Sequence, residues 1–200
     1  RSGLLSITSA LAPPAKAGNN IEIILDGSGS MKTLLGKTSR WQTALDVLKE
    51  VVTQLPDAFN VGLRGYGHRE PSTSPGTCTD SQLVVPVKKL DRAGLLSAAG
   101  LIRPKGETPL VYSVLQAPAD LKKVGGGTVI LITDGEESCK GDAVKAAAEL
   151  KASGVDLRLD IVGFALGGKK VQQDLTAFAQ ATSGRFYTAQ SGSALAQAII

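Results

Sequence analysis

Aromatic side chains, charge of one sign, long apolar runs and clusters of soft metal ligands are all scarce in this sequence. Aromatics make up 4% of the 200 residues, and the formal net charge of +4 arises from lysines and arginines interspersed with acids. With no basic stripe and no aromatic platform, nucleic-acid binding is not expected. No window approaches the roughly 18 uninterrupted apolar residues of a membrane-spanning helix, and no basic-then-apolar signal segment opens the chain. No direct membrane insertion by this segment is therefore expected. There is no C-x-x-C pair or Cys/His cluster, which argues against structural zinc. The two cysteines, Cys78 and Cys139, lie in polar segments bearing Gly or Ser. That placement favours a surface disulfide, with two free thiols of a cytosolic protein as the alternative. A pair implies an extracellular, cell-surface or periplasmic site; unpaired thiols leave the cytosol open.

What is present is an apolar content of 42%, ample for one compact α/β core at this length. Strand-like apolar runs recur at Ile21 to Leu25, Val61 to Tyr66, Leu83 to Val87, Thr128 to Thr133, Leu157 to Phe164 and Arg185 to Thr188. Trp41, Leu45, Leu48, Val52 and Leu55 recur at three- and four-residue steps, predicting a helix over Arg40 to Leu55 with Ser39 as N-cap. Further helices are expected from Asp91 to Leu101, from Leu110 to Val124 with a kink at Pro118, from Asp142 to Ser153, from Lys170 to Thr182, and from Ser193 to Ile200. Strands apolar on both faces, alternating with helices, predict a doubly wound α/β fold: a mostly parallel sheet of about six strands with helices on both faces. The helix-free run from Arg69 to Ser81 makes Leu83 to Val87 the antiparallel edge strand. Pro13-Pro14 marks a stiff spacer, so residues 1–19 read as a linker or the end of a preceding segment and residues 20–200 as the domain. The start at Arg1 suggests part of a larger polypeptide.

In such folds ligands collect at the carboxyl ends of the strands near the topological switch point. Ile21 to Leu25 empties into Asp26-Gly27-Ser28-Gly29-Ser30, and Thr128 to Thr133 empties into Asp134-Gly135-Glu136-Glu137. The Gly106-Glu107-Thr108 turn adds a hydroxyl on the same side. Carboxylate and hydroxyl oxygens without imidazole or thiolate suit Mg²⁺, with Mn²⁺ or Ca²⁺ also admitted. Gly27 and Gly29 are expected to let the loop turn so that its three side chains converge. Two carboxylates among neutral hydroxyls leave an ion electrophilic, with a position open to an external carboxylate.

Asp26, Ser28 and Ser30 match the DxSxS signature of the von Willebrand factor type A domain, whose metal-ion-dependent adhesion site also uses a separate threonine and a second aspartate, matched by Thr108 and Asp134. Three motifs in this order, over Asn20 to Ile200, make the resemblance specific. It implies a Rossmann-like fold in which Asp26, Ser28, Ser30 and Thr108 hold a divalent cation directly or through water, Asp134 acting through water. It further implies a non-enzymatic adhesion or assembly module whose protein partner presents an Asp or Glu. Ser30-Met31 and Thr108-Pro109-Leu110 are similar to prokaryotic members. Lys32-Thr33 stands where integrin β subunits carry acids, so an adjacent second metal site is not implied.

Blander readings stand beside these. Asp26, Ser28 and Ser30 could form an ordinary polar turn, Thr108 a helix cap and Asp134 a turn cap. Glu136 and Glu137 read as solvated acids, although either could approach an ion, as could Glu107. His68, the single histidine, raises a metal-dependent hydrolase as a second function, but no GxSxG elbow surrounds Ser28 or Ser30. A structural scaffold in a cell-surface protein is the third. Gly36-Lys37-Thr38 fails as a phosphate loop because Met31 stands at the required glycine, and Gly27-Ser28-Gly29 fails as a dinucleotide fingerprint at Lys32. A Cys78–Cys139 bond is expected to pin the Arg69 to Ser81 loop beside the site.

Overall fold

A computed structural model describes residues 19–135 and 137–188. The expected helix from Ser193 to Ile200, Glu136 and residues 1–18 lie outside the described residues. Strand β1 (Asn20–Asp26) leads through a short 3-10 turn to a two-strand hairpin, β2 (Leu34–Leu35) and β3 (Thr38–Ser39), and then helix α1 (Arg40–Gln54). There follow β4 (Asn60–Tyr66), β5 (Ser81–Lys89), α2 (Arg92–Gly100), α3 (Leu110–Val114), α4 (Ala117–Lys122) and β6 (Gly127–Thr133). The described part closes with α5 (Ala143–Ala152), β7 (Leu157–Gly163), α6 (Lys169–Gln180) and β8 (Phe186–Thr188).

The six main strands lie in the order β5-β4-β1-β6-β7-β8. Only β5 runs antiparallel to its neighbour, while the β1–β4, β1–β6, β6–β7 and β7–β8 pairs are parallel. The expected sheet and its antiparallel edge strand are thus present. Every residue of β1 and β6 is buried, as a central parallel strand covered on both faces requires. Alternation along β1 sends Ile21, Ile23 and Leu25 into a core shared with Ala44, Leu48 and Val51 of α1 and Leu95 of α2. Ile24 faces the opposite core, built with α3, α4, α5 and α6.

Side-chain caps start three of the six described α-helices. Ser39 accepts a hydrogen bond from the Gln42 amide, Asp91 from Gly94, and Asp142 from Val144 and Lys145. The expected single helix from Leu110 to Val124 is instead two short ones, because Pro118 occupies the first turn of α4, where its missing N–H costs nothing. Beneath α4 lies a polar cluster in the apolar face. Arg64 of β4 donates to Asp120 at 2.6 Å and to Ser81 at 3.0 Å, beside the fully buried Glu22 of β1. Neither Glu22 oxygen has a hydrogen-bond partner of good geometry among the described residues. Burial first, then the Asp120 carboxylate, push its pKa up to about 10.

Candidate metal centre

The chain leaves β1 toward β4 on one side and returns to β6 on the other, so the switch point lies at the carboxyl ends of β1 and β6. Leu25 pairs with Ile132, which makes Asp26 and Thr133 the next residues on adjacent strands. Asp26 is fully buried. One of its oxygens accepts the Ser28 amide at 2.9 Å and the other the Thr133 hydroxyl at 2.8 Å. Burial, and then the negative charge of Asp134, raise its pKa from 3.8 to about 7. The Ser28 and Ser30 hydroxyls lie 3.1 Å apart. Asp26, Ser28 and Ser30 thus lie together at the carboxyl end of β1, with the charge of Asp134 felt at Asp26.

Thr108 arrives through the backbone. Ser28 forms a parallel bridge with Gly106, the Gly29 amide donates to the Gly106 carbonyl at 2.8 Å, and the Gly106 amide donates to Gly67 at 2.7 Å. Thr108 then pairs with Ser138 beyond Asp134: its amide donates to the Ser138 hydroxyl at 2.7 Å, and the Ser138 amide returns a bond to its carbonyl. The threonine is thereby stitched between the two aspartate loops, and it is buried.

Gly27 differs from expectation in its reason. It has no left-handed φ; it is needed because a Cβ there would fall 2.8 Å from the Tyr66 carbonyl oxygen and 2.9 Å from the His68 Cβ. The residue that does require a left-handed turn is Gly67, with φ +71°, where a Cβ would also meet the Glu107 carbonyl at 2.5 Å.

The blander roles fall to other residues. The amide of Val111 at the start of α3 is taken by Glu137 at 2.8 Å, not by Thr108. Glu137 also accepts the Cys139 and Gly141 amides, each at 3.1 Å, so it organises the loop rather than standing in solvent. The turn at Gly135 is closed by Thr133 at 3.1 Å. Asp134, with its side chain 4% exposed, instead receives Arg40 Nη1 at 2.9 Å. Arg40, Thr133 and Ser138 belong to this edge although no sequence motif marked them. His68 is buried, with its pKa lowered chiefly by that burial. Its Nε2 lies 3.1 Å from Gln82 Oε1, and no bond links it to Ser28 or Ser30 among the described residues.

Cys78 and Cys139 form a disulfide with their Cα atoms 5.4 Å apart. It ties the loop after β4 to the loop carrying Asp134. Asp80 at the end of the same loop accepts the Arg69 and Glu70 amides at 2.7 and 2.8 Å, so the loop is braced from both ends.

Among the described residues no three His, Cys, Asp or Glu side chains converge as a metal cluster. The oxygen set here holds only two carboxylates, and a cation would draw the rest of its shell from hydroxyls and water. That donor chemistry fits a hard divalent ion. A buried carboxylate held by neutral donors alone, beside a second carboxylate, is the local charge imbalance such an ion would relieve.

The model of the von Willebrand factor type A domain family matches residues 20–199. The Bacillus subtilis protein YwmD is 28% identical over 205 residues, covering 98% of this chain and 91% of that protein. Among solved structures, a von Willebrand factor type A protein from Catenulispora acidiphila superposes with a TM-score of 0.65 at 18% identity, covering 90% of this chain and 41% of that one. Proximal thread matrix protein 1 from the mussel byssus, in a form with a zinc-occupied MIDAS motif, superposes with a TM-score of 0.64 at 18% identity, covering 92% of this chain and 47% of that one. At such identities the structural likeness concerns the fold.

Proposed function

This chain belongs to the von Willebrand factor type A domain family, and from that premise we propose that it is a metal-dependent protein-binding module for adhesion or assembly. Asp26, Ser28, Ser30, Thr108 and Asp134 hold a divalent cation, Mg²⁺ by preference with Mn²⁺ or Ca²⁺ as substitutes. The ion supplies a Lewis-acidic position for an Asp or Glu carboxylate of a partner protein. One observation carries this reading: Asp26 is fully buried, faces Asp134, and has no cationic partner among the described residues. Neutral hydroxyls in the shell would leave most of the ion's charge available to the partner. The metal-occupied motif of the mussel byssus protein supports the same reading.

Leu34 and Leu35, 69% and 41% exposed, lie on the hairpin that follows Ser30 in the chain and offer apolar contact area to a partner. The disulfide favours an extracellular, cell-surface or periplasmic setting. No described helix is long and apolar enough to cross a membrane. The hydrolase alternative is less favoured, because His68 is turned to Gln82 and activates no hydroxyl of the site.

Calorimetric titration with Mg²⁺ and Mn²⁺, on the wild type and on Asp26→Ala, tests the proposal. Ion binding that Asp26→Ala abolishes is expected; binding unchanged by the substitution would sink the assignment.

A further inference from the structure

We propose that Arg40 is a resident counter-cation of this site, which neutralises Asp134 in the metal-free protein and weakens ion binding by competing with it. The inference rests on the metal-site reading above. Arg40 is the first residue of α1, and its backbone amide donates to the Thr33 carbonyl at 2.9 Å, at the base of the hairpin. A cation at that position opposes the helix dipole, whose positive end lies there. Its side chain reaches across 94 positions of sequence to place Nη1 at 2.9 Å from Asp134 Oδ2. Among the described residues this is the one ion pair made by either aspartate, since Asp26 is held by the Ser28 amide and the Thr133 hydroxyl.

The pairing is incomplete in a way that suits release. Nε of Arg40 is buried without a hydrogen-bond partner, and the side chain is still 24% exposed. One hydrogen bond is an economical use of a group with five donors. A divalent ion recruiting Asp134, directly or through water, must either displace this guanidinium or sit beside it. Arginine stays charged in either case. Both routes couple Arg40 unfavourably to the ion, and reciprocity requires that the ion loosen the Arg40–Asp134 contact equally. A purely orienting role, in which Arg40 holds Asp134 ready, has the opposite sign.

The test compares wild type, Arg40→Met and Arg40→Gln, the second retaining a donor for Asp134 without the charge. Affinities for Mg²⁺ and Mn²⁺ are measured by calorimetry, melting midpoints in chelator, and Asp26→Ala is added to each background. We expect both Arg40 variants to bind the ion at least about tenfold tighter, as removal of a unit charge near a divalent ion implies, and to melt lower than wild type in chelator. Ion binding that appears only in the variants, and is lost with Asp26→Ala, also supports the inference. If wild type binds through Asp26 while both variants bind equally or more weakly, the metal site stands and the role of Arg40 falls. If none binds an ion, both fall.

Discussion

Replacing Asp26 by Asn removes one charge and almost no volume, and in the metal-free protein it should be stabilising. The pKa of Asp26 rises from 3.8 to about 7 on folding, first through burial and then through Asp134. A raised carboxyl pKa means that the folded state binds the proton more tightly than the unfolded chain does. The resulting penalty is absent below the unfolded pKa, grows as pH rises, and levels off above the folded pKa. At about 1.4 kcal/mol per pKa unit, the difference between 3.8 and 7 corresponds to an upper bound of roughly 4 kcal/mol. The amide can still accept the Ser28 N–H, and Thr133 can reverse its hydroxyl toward Tyr66, 3.4 Å away. Urea unfolding of both proteins in chelator, from pH 4 to pH 8, measures the effect. The variant should gain about 1 to 4 kcal/mol at pH 8 and less than about 1 kcal/mol near pH 4, and saturating Mg²⁺ should stabilise the wild type only. An Asp26→Asn protein no more stable than wild type at pH 8 in chelator would refute the claim that an uncompensated buried charge resides there.

Glu22→Gln should likewise stabilise the fold at neutral pH. Its raised pKa, about 10 against 4.5 unfolded, creates a penalty that begins near pH 4.5 and at pH 7 approaches about 3 kcal/mol; a difference in unfolding free energy that fails to grow with pH would contradict it. Cys78→Ser with Cys139→Ser opens a crosslink of sequence separation 61 and should cost about 4 kcal/mol in the chain-entropy account, read as a lower urea midpoint. Asp120→Asn leaves Arg64 buried beside a neutral amide and should cost about 3 kcal/mol; a loss below 1 kcal/mol would show that the pair is not desolvated. Gly67→Ala, at φ +71° and against the Glu107 carbonyl, should lower both the melting midpoint and ion affinity, because it displaces the segment that carries Thr108.

The layered fold is legible because the central strands are mostly apolar, interrupted by few charged residues such as Glu22 in β1 and Arg64 in β4, and because α1, α2 and α5 carry their own caps. Ser39, Asp91 and Asp142 act as caps in the structure. The break in the helix after Val114 was foreshadowed by Pro118, but propensity does not say whether proline bends a helix or begins a new one. The hairpin over residues 34–39 is not legible in the sequence, because two-residue strands have no readable period. Gly36 serves there as the turn, with φ +69°. Asp26 and Asp134 can be nominated because strand ends are predictable in a doubly wound sheet, whereas Thr108, which precedes α3, is singled out by its match to the family's separate threonine. Arg40 cannot be nominated in either way, since its value depends on a tertiary contact. Glu137 reads as a solvated acid in the sequence, whereas in the structure the amides of Val111, Cys139 and Gly141 recruit it.

Glu22 and Asp26 sharpen the distinction between a buried acid and a binding site. They lie four residues apart on the same strand and project to the same face, and burial raises the pKa of both. Glu22 sits mid-strand, where the sheet and α4 enclose it and Arg64 already binds the nearby Asp120. An ion arriving there would have to displace packed helix. Asp26 closes its strand at the carboxyl end of the sheet, near an exposed Ser30 and an arginine that engages only one donor. Chain ends of parallel strands point their last side chains at loops, and loops can exchange ligands. The same carboxyl desolvation is therefore a fixed cost of the fold at Glu22 and a binding potential at Asp26. Converting Asp26 to Asn should erase ion binding, while Glu22→Gln should leave ion affinity within about twofold of wild type, as expected of independent sites.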